Sequence, residues 1–218
     1  MDRFEFFDRI PAMKQADRQR IQWAYGLAKS GHSKQFRDSG ERYFEHVRSA
    51  ANILIDHGYV DPDYLIVVIL HDLLEDTVIP VSMLEQLFGP RIARGILTIS
   101  KKYGIEDPLT GFVTHSAKRK LEEYFASIAR AEKFVIIAKC ADRIHNLSGL
   151  VGEMPADYGW TPERRLKQVT ETRTWVIPLA LVHEPRFAEK LEALCALIEI
   201  QANHEVAMRP PIGFMYEI

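Results

Sequence analysis

The stretch LIVVILHDLLEDT, at residues 65–77, breaks an apolar run with charged residues where a helix is expected to cross the core. Its aliphatic half is followed within a few positions by His71, Asp72, Glu75 and Asp76. Burying three acids and a histidine is costly unless they are paired, protonated or bound to a metal. Because residues three and four apart on a helix share a face, these side chains are able to converge on one site.

Two other segments are interrupted in the same way. The segment VIIAKCADRIHNL, at 135–147, is broken by Asp142, Arg143, His145 and Asn146. The segment RDSGERYFEH, at 37–46, ends in His46. A histidine, a His-Asp pair and a distant aspartate supply N and O ligands suited to Mn²⁺, Fe²⁺, Zn²⁺ or Mg²⁺. One ion held by two imidazoles and two carboxylates keeps positions open for water and a phosphate oxygen, so the pattern predicts a catalytic site.

Each of these residues also has a plainer explanation. A single histidine such as His46 is more often a satisfied, partly buried side chain than a ligand, and an EDT triplet after an apolar helix usually marks its emergence into solvent. Arg143 beside Asp142 is explained as well by an internal salt bridge. The conjunction of the three segments favours the metal site.

The bulk composition is that of an ordinary globular chain. Of the 218 residues, 47% are hydrophobic and 27% are charged, which predicts one domain over residues 1–218. The net charge of −2 indicates no nucleic-acid partner. The longest apolar run, 65–70, is too short to span a bilayer, so no membrane partner is expected. The distant Cys140 and Cys195 and the lack of a signal segment predict a cytoplasmic protein, and the oligomeric state is left open.

Apolar residues recur at helical spacing along nearly the whole chain, and alternating β-branched stretches between tight turns are missing. We therefore predict an all-α bundle of about eight or more helices. The Gly- and Pro-containing stretches 101–112 and 152–162 are predicted to be loops that border a site, and the tail, 209–218, is predicted to be irregular. The expected helices cover residues 12–30, 41–57, 62–72, 81–88, 90–101, 116–130, 133–151, 163–183 and 185–205.

The pattern formed by His46, His71-Asp72 and Asp142 resembles the metal-binding signature of HD-domain phosphohydrolases. The flanking sequence is more specific, because five segments in order resemble successive motifs of the RelA/SpoT hydrolase domain. These segments are AKSGHSKQFRDSGERYFEH, ILHDLLEDT, LFGPRIARGILTISK, AKCADRIHNL and ETRTWVIPLA. The resemblance implies an HD core over about 24–182 with the helix at 185–205 packed on it. No stretch is long enough for a synthetase domain, so the chain looks like a stand-alone small alarmone hydrolase of the metazoan SpoT-homologue type.

The resemblance implies a hydrolase that uses Mn²⁺ to remove the 3′-pyrophosphate of ppGpp and pppGpp, giving GDP or GTP and pyrophosphate. Glu75 and Asp76 match an acidic pair that orients or deprotonates the attacking water and helps proton transfer to the leaving group. The implied metal ligands are His46, His71, Asp72 and Asp142. The implied substrate contacts are Arg37 against the purine, Ser39 in the base-pocket loop, Asn146 near the nucleoside, and the basic residues Lys139 and Arg143.

Three departures from the family pattern leave base and phosphate specificity open. Asp38 stands where the family often has a basic residue, Val47 replaces a proline, and Ser148-Gly149 replace larger side chains. A phosphohydrolase of another nucleotide, such as ppApp or NADPH, and a catalytically silent nucleotide sensor stay open as alternatives. The intact Glu75-Asp76 pair favours an enzyme over a sensor.

Overall fold

The computed structural model describes residues 2–111, 113–152 and 159–208, apart from the side chains of 114–117. The tail at 209–218 and the central part of the second predicted loop lie outside the described residues. The chain is predominantly helical, which confirms the predicted class. The helices are α1 (Arg3–Asp8), α2 (Gln15–Gly31), α3 (Tyr43–Asp56), α4 (Pro62–Leu70), α5 (Leu73–Asp76), α6 (Val81–Phe88), α7 (Pro90–Ile99), α8 (Leu121–Ala129), α9 (Lys133–Ser148), α10 (Pro162–Glu171), α11 (Ile177–His183) and α12 (Pro185–Ala207).

Helix α4 lies at the centre of the core, and all of its residues from Leu65 to Leu70 are buried. The Asp61 side chain caps its N-terminus by accepting a hydrogen bond from the Asp63 amide, and Pro62 occupies the first turn. The helix packs against α2, α3, α7 and α9. Burial of each large aliphatic side chain contributes about 1.5–3 kcal/mol. The residues that follow α4 are therefore held by a rigid support.

Helix α9 is the second central helix and carries charged residues into the interior. It packs against α3, α4 and α12, and its residues from Phe134 to Ile144 are buried, including Lys139, Asp142 and Arg143. Charged side chains are almost never fully buried unless they are paired. This burial indicates a site built around α9.

The helix predicted over 62–72 ends earlier than expected. Helix α4 stops at Leu70, His71 and Asp72 form a turn, and α5 begins at Leu73. Asp72 has φ −95° and ψ −3°, in the sparsely populated region where turn and active-site residues are often found. The His71 and Asp72 side chains therefore do not follow the face rule of a continuous helix.

The loop predicted at 101–112 is shorter than expected, because its first half is a strand, and the helix start predicted at 116 is wrong. Strands β1 (Lys102–Glu106) and β2 (Val113–Lys118) form an antiparallel hairpin, with Lys102 opposite Lys118. In the connecting turn, the Asp107 carboxylate accepts hydrogen bonds from the amides of Leu109 and Thr110. The strands are short and carry several polar residues, and they lack the two-residue turn signal of a hairpin.

The helix predicted over 163–183 is divided into α10 and α11 by a π-helical turn at Thr172–Val176. Pro178 lacks the amide that a regular α-helix would use, and a wider turn before it accommodates that loss. Helix α12 packs against α9, α10 and α11. Among the described residues, no helix combines the length and the apolar character needed to cross a bilayer.

Candidate active site

The four predicted ligand residues meet between the end of α4 and the third turn of α9. His46 Nε2 lies 3.3 Å from both His71 Nε2 and Asp142 Oδ1, and His71 Nε2 lies 3.4 Å from Asp142 Oδ1. Asp72 Oδ2 lies 2.9 Å from His71 Nε2 and 3.5 Å from His46 Nε2. Bonds of about 2.1 Å to one ion place neighbouring ligand atoms about 3.0–3.5 Å apart. The donor atoms and their spacing therefore fit a single divalent metal ion. His46, His71, Asp72 and Asp142 form the ligand group, and His46, His71 and Asp142 are its buried members.

Hydrogen bonds orient three of these side chains. His71 Nδ1 donates to the Val68 carbonyl at 2.7 Å, which leaves Nε2 free to ligate. The Tyr43 hydroxyl donates to Asp72 Oδ2 at 2.8 Å. His46 Nδ1 lies 2.7 Å from His145 Nδ1. The supporting residues reach the site from α3, α4 and α9.

Neighbouring cationic groups keep the two aspartates ionised. Burial alone would raise the pKa of Asp72, but in the metal-free protein His71 and a hydrogen bond from His46 hold that pKa well below its usual value. Burial also opposes ionisation of Asp142, and Lys139, whose Nζ is 2.8 Å away, together with the two histidines holds the pKa of Asp142 well below its usual value. Both carboxylates are therefore charged and able to bind a cation at neutral pH.

Glu75 lies beside the ligand group and titrates near neutrality. Burial first, and then the charge of Asp72, raise the pKa of Glu75 to about 7, although the Lys101 amide donates to its Oε1 at 2.5 Å. A carboxyl with such a pKa is suited to general acid–base catalysis. Asp76 faces the other way, with Oδ1 3.2 Å from Lys102 Nζ, and lines an open depression that Glu75 also borders.

Three of the four ligand residues and Glu75 line a pocket with a volume of about 230 Å³, and cationic side chains also line it. Lys101 Nζ lies 2.8 Å from Glu171 Oε1, and the Arg143 guanidinium donates to Glu171 and to Gln168 Oε1. Arg143 thus pairs with Glu171, and Asp142 pairs with Lys139, so the Arg143–Asp142 salt bridge considered from the sequence is not found. Burial opposes ionisation of Glu171, but Arg143 and Lys101 lower its pKa to about 2.

A second cavity, of about 330 Å³, adjoins this pocket through shared walls at Arg37, Asn146 and Trp160. Ser39 also lines this cavity. The loop is closed by a hydrogen bond from the Gly40 amide to the Arg37 carbonyl at 2.8 Å, with Gly40 at φ 78°. A side chain at that φ would strain the backbone, so glycine is suited to this position.

Two departures from the family pattern, Asp38 and Gly149, line the second cavity, or cleft. Asp38 Oδ2 lies 3.6 Å from Arg164 Nη2, and the Arg164 guanidinium lies 4.0 Å from the centroid of the Trp160 ring. Gly149 also lines the cleft, where a larger side chain would fill space.

Several residues of the site were not singled out from the sequence. Their positions come from elements distant in sequence, and only their location beside a recognised motif was a signal. They are Tyr43, Lys101, Trp160, Gln168 and Glu171.

Comparison with known proteins agrees with this geometry. Residues 24–168 match the HD domain family. The chain belongs to the HD domain family. The match includes every proposed metal ligand, and it ends within α10.

Among curated proteins, this HD domain chain is similar to GTP pyrophosphokinase rsh of Brucella ovis, with 31% identity over 181 residues, 83% of this chain and 22% of the relative. It is also similar to the bifunctional (p)ppGpp synthase/hydrolase SpoT of Escherichia coli K12, with 32% identity over 164 residues, 74% of this chain and 21% of the relative. The chain thus spans about a fifth of the length of these relatives.

A solved structure has the same fold. It belongs to a metazoan ortholog of SpoT that hydrolyzes ppGpp, and it is 21% identical with a TM-score of 0.66. The alignment covers 84% of this chain and 96% of the other. At this identity the likeness establishes the fold.

Proposed function

We propose that this chain is a metal-dependent phosphohydrolase that removes the 3′-pyrophosphate of ppGpp and pppGpp, releasing pyrophosphate and GDP or GTP. The observation that carries the proposal is the adjacency of two cavities that share wall residues, one lined by cations and the ligand group and the other by Arg37 and Ser39. Such a pair of cavities suits a polyphosphate joined to a nucleoside. The relatives named for (p)ppGpp synthesis and hydrolysis support the same substrate class.

His46, His71, Asp72 and Asp142 would hold the divalent cation, for which we propose Mn²⁺. Their N and O donors and their mutual distances of 2.9–3.5 Å support this assignment. When bound, such a cation polarises a phosphoryl oxygen and increases the acidity of water.

Glu75 is the proposed general base. It takes a proton from the water whose oxygen attacks the phosphorus attached to the 3′ oxygen, and its pKa of about 7 suits that role at neutral pH. The bond between this phosphorus and the 3′ oxygen breaks, pyrophosphate carries the oxygen of water, and the 3′ oxygen takes up a proton. Asp76, at the rim beside Lys102, is proposed to assist that second proton transfer.

Lys101, Lys139 and Arg143 are proposed to neutralise the charge of the pyrophosphate. All three line the ligand-group pocket, and Glu171 holds Lys101 and Arg143 in place. These three cations, together with a bound divalent cation, would allow a chain of net charge −2 to bind a polyanion.

Arg37 and Asn146 are proposed to contact the nucleoside, with Ser39 in the adjoining loop. A planar guanidinium is suited to stacking on a purine, and Arg37 is half-buried in the wall between the cavities. We further propose that residues 1–218 act as one hydrolase unit, with α12 supporting α9 from behind.

The test is a nucleotide panel. The protein is incubated with Mn²⁺ and, separately, ppGpp, pppGpp, ppApp and NADPH, while pyrophosphate, phosphate and nucleotide products are quantified. We expect pyrophosphate and GDP in equal amounts from ppGpp, with loss of turnover in EDTA and in Glu75→Gln. Exposed Glu85→Gln is the matched control and should retain full activity.

Other outcomes would redirect the assignment. Phosphate release from NADPH, or pyrophosphate release from ppApp alone, would show another nucleotide phosphohydrolase. Tight nucleotide binding without turnover of any compound would show a sensor that uses the same cavities.

A further inference from the structure

Arg37 is connected to two of the metal ligands by two short chains of hydrogen bonds. In the first chain, Arg37 Nη1 lies 3.4 Å from His145 Nδ1, which lies 2.7 Å from His46 Nδ1. In the second, Arg37 Nη2 donates to Asn146 Oδ1 at 2.8 Å, and Asn146 Nδ2 donates to Asp142 Oδ1 at 2.6 Å. Each chain crosses from the nucleoside cleft to the ligand group through one α9 side chain.

The first chain has only one arrangement of protons that leaves His46 able to ligate. His46 Nε2 faces the other ligand atoms and must be unprotonated to bind a cation, so its proton lies on Nδ1. That N–H needs an acceptor, and the facing atom at 2.7 Å is His145 Nδ1. His145 must then be neutral and carry its proton on Nε2.

Arg37 favours the same arrangement from the other side. A guanidinium has five N–H donors and no acceptor, so the atom that faces it must accept. The contact with Arg37 therefore favours an unprotonated His145 Nδ1, and this in turn favours the ligating tautomer of His46. The same rule turns Asn146 Oδ1 toward Arg37 and its amide nitrogen toward Asp142.

We infer that His145 is a positioning residue that holds His46 in its metal-binding tautomer, and that Arg37 acts on the metal site through His145 and Asn146. This inference rests on the proposed function, because it assumes that the ligand group binds a divalent cation. It assigns Arg37 a second role besides its proposed contact with the base. The affinity for the metal ion thereby depends on whether Arg37, in the cleft proposed to bind the nucleoside, keeps its contacts with His145 and Asn146.

The test compares two substitutions that differ in the acceptor. In His145→Asn, the side-chain oxygen takes the place of Nδ1 and still accepts from His46, whereas His145→Leu has a similar shape without an acceptor. Mn²⁺ binding to nucleotide-free protein is measured by titration calorimetry, and the folding of each metal-free variant is checked by thermal unfolding. Loss of a group that supports a metal ligand typically weakens affinity by about 10–100-fold. We expect that loss in His145→Leu, a change of no more than a few-fold in His145→Asn, and weaker binding in Arg37→Ala without any nucleotide.

Equal Mn²⁺ affinity in His145→Leu and the wild type would overturn the inference. Equal losses in His145→Asn and His145→Leu would also overturn it, because the effect would then be one of packing. The Mn²⁺ titrations contain no nucleotide, so they remain valid even if the protein does not hydrolyse ppGpp. That failure would contradict only the proposed substrate. A wild-type chain that binds no Mn²⁺ would overturn both proposals.

Discussion

Helices α4 and α9 carry a cluster of charged residues at each end, and the two clusters differ in burial. At one end Arg91 joins Asp63 in the first turn of α4 to Glu132 at the start of α9, with Arg91 Nε 2.9 Å from the Glu132 carboxylate. At the other end lie the ligand residues, among them Asp72 and Asp142. The Arg91 and Glu132 side chains are 55% and 53% exposed, whereas the Asp142 side chain is 5% exposed.

The contrast separates a structural role from a functional one. Water solvates the surface cluster in both folded and unfolded states, so its ion pairs contribute little to stability. The interior cluster has lost that solvation, and its charges persist because histidines and Lys139 compensate them. Charges that stay in the interior in spite of this loss of solvation indicate a catalytic or binding role.

The largest effect is expected at Asp72. Asp72→Asn keeps the shape and an oxygen for the Tyr43 hydroxyl but removes the anion from the ligand group. We expect kcat/KM for ppGpp to fall by at least about 10³-fold, more than the 10–100-fold typical of a supporting residue, with Mn²⁺ affinity reduced in parallel. Steady-state kinetics and calorimetry measure both.

The matched control is Asp61→Asn, at the opposite end of α4. Asparagine is as good an N-cap as aspartate, so this variant should keep its stability and its activity. An Asp72→Asn enzyme with wild-type kcat/KM would remove Asp72 from the ligand group.

The difference between the two ends also explains what could be predicted from the sequence. Aliphatic periodicity located α4 and α9, and the charged interruptions at His71, Asp72 and Asp142 pointed to the proposed ligands, because these signals are local. The supporting contacts are not local: Tyr43 meets Asp72 across 29 positions, and Arg37 meets Asn146 across 109. No local pattern encodes such pairs.

The hairpin was missed for a related reason. Its strands pair with each other, but its part in the site comes from packing near α5, where the Lys101 amide reaches Glu75. Strand propensity depends on such neighbours more than helix propensity does. Short, partly polar strands therefore give little signal when the sequence is considered alone.

Substitution of Glu75 tests how much the burial of an ionisable carboxyl lowers the stability of the folded protein. We expect an effect of intermediate size. Its pKa is about 7 in the folded chain and 4.5 ordinarily, so the folded state binds the proton more tightly. Stability of the metal-free protein therefore falls as pH rises from 4.5 through 7. Glu75→Gln cannot ionise, so its stability advantage over the wild type should grow by about 2 kcal/mol between pH 5 and pH 8, after allowance for partial solvent access.

Urea unfolding in EDTA at the two pH values measures this advantage. Exposed Glu85→Gln is the control and should follow the wild type at both. A Glu75→Gln curve parallel to the wild type would mean that Glu75 is solvated as an ordinary carboxyl, and its role as the base would lose its physical support.

The smallest effect is expected at the exposed end, in Glu132→Gln. The substitution removes one carboxylate from Arg91 but leaves Asp63 as a partner, and the Arg91 guanidinium still lies 4.6 Å from the centroid of the Phe134 ring. Glu132 makes no side-chain cap to α9, so the helix start is unaffected. We expect an unchanged urea midpoint and unchanged hydrolysis, with any small difference at low salt disappearing in 1 M NaCl because salt screens exposed charges. A large, salt-independent loss of stability would instead show that the two ends of α4 and α9 depend on their charges in the same way.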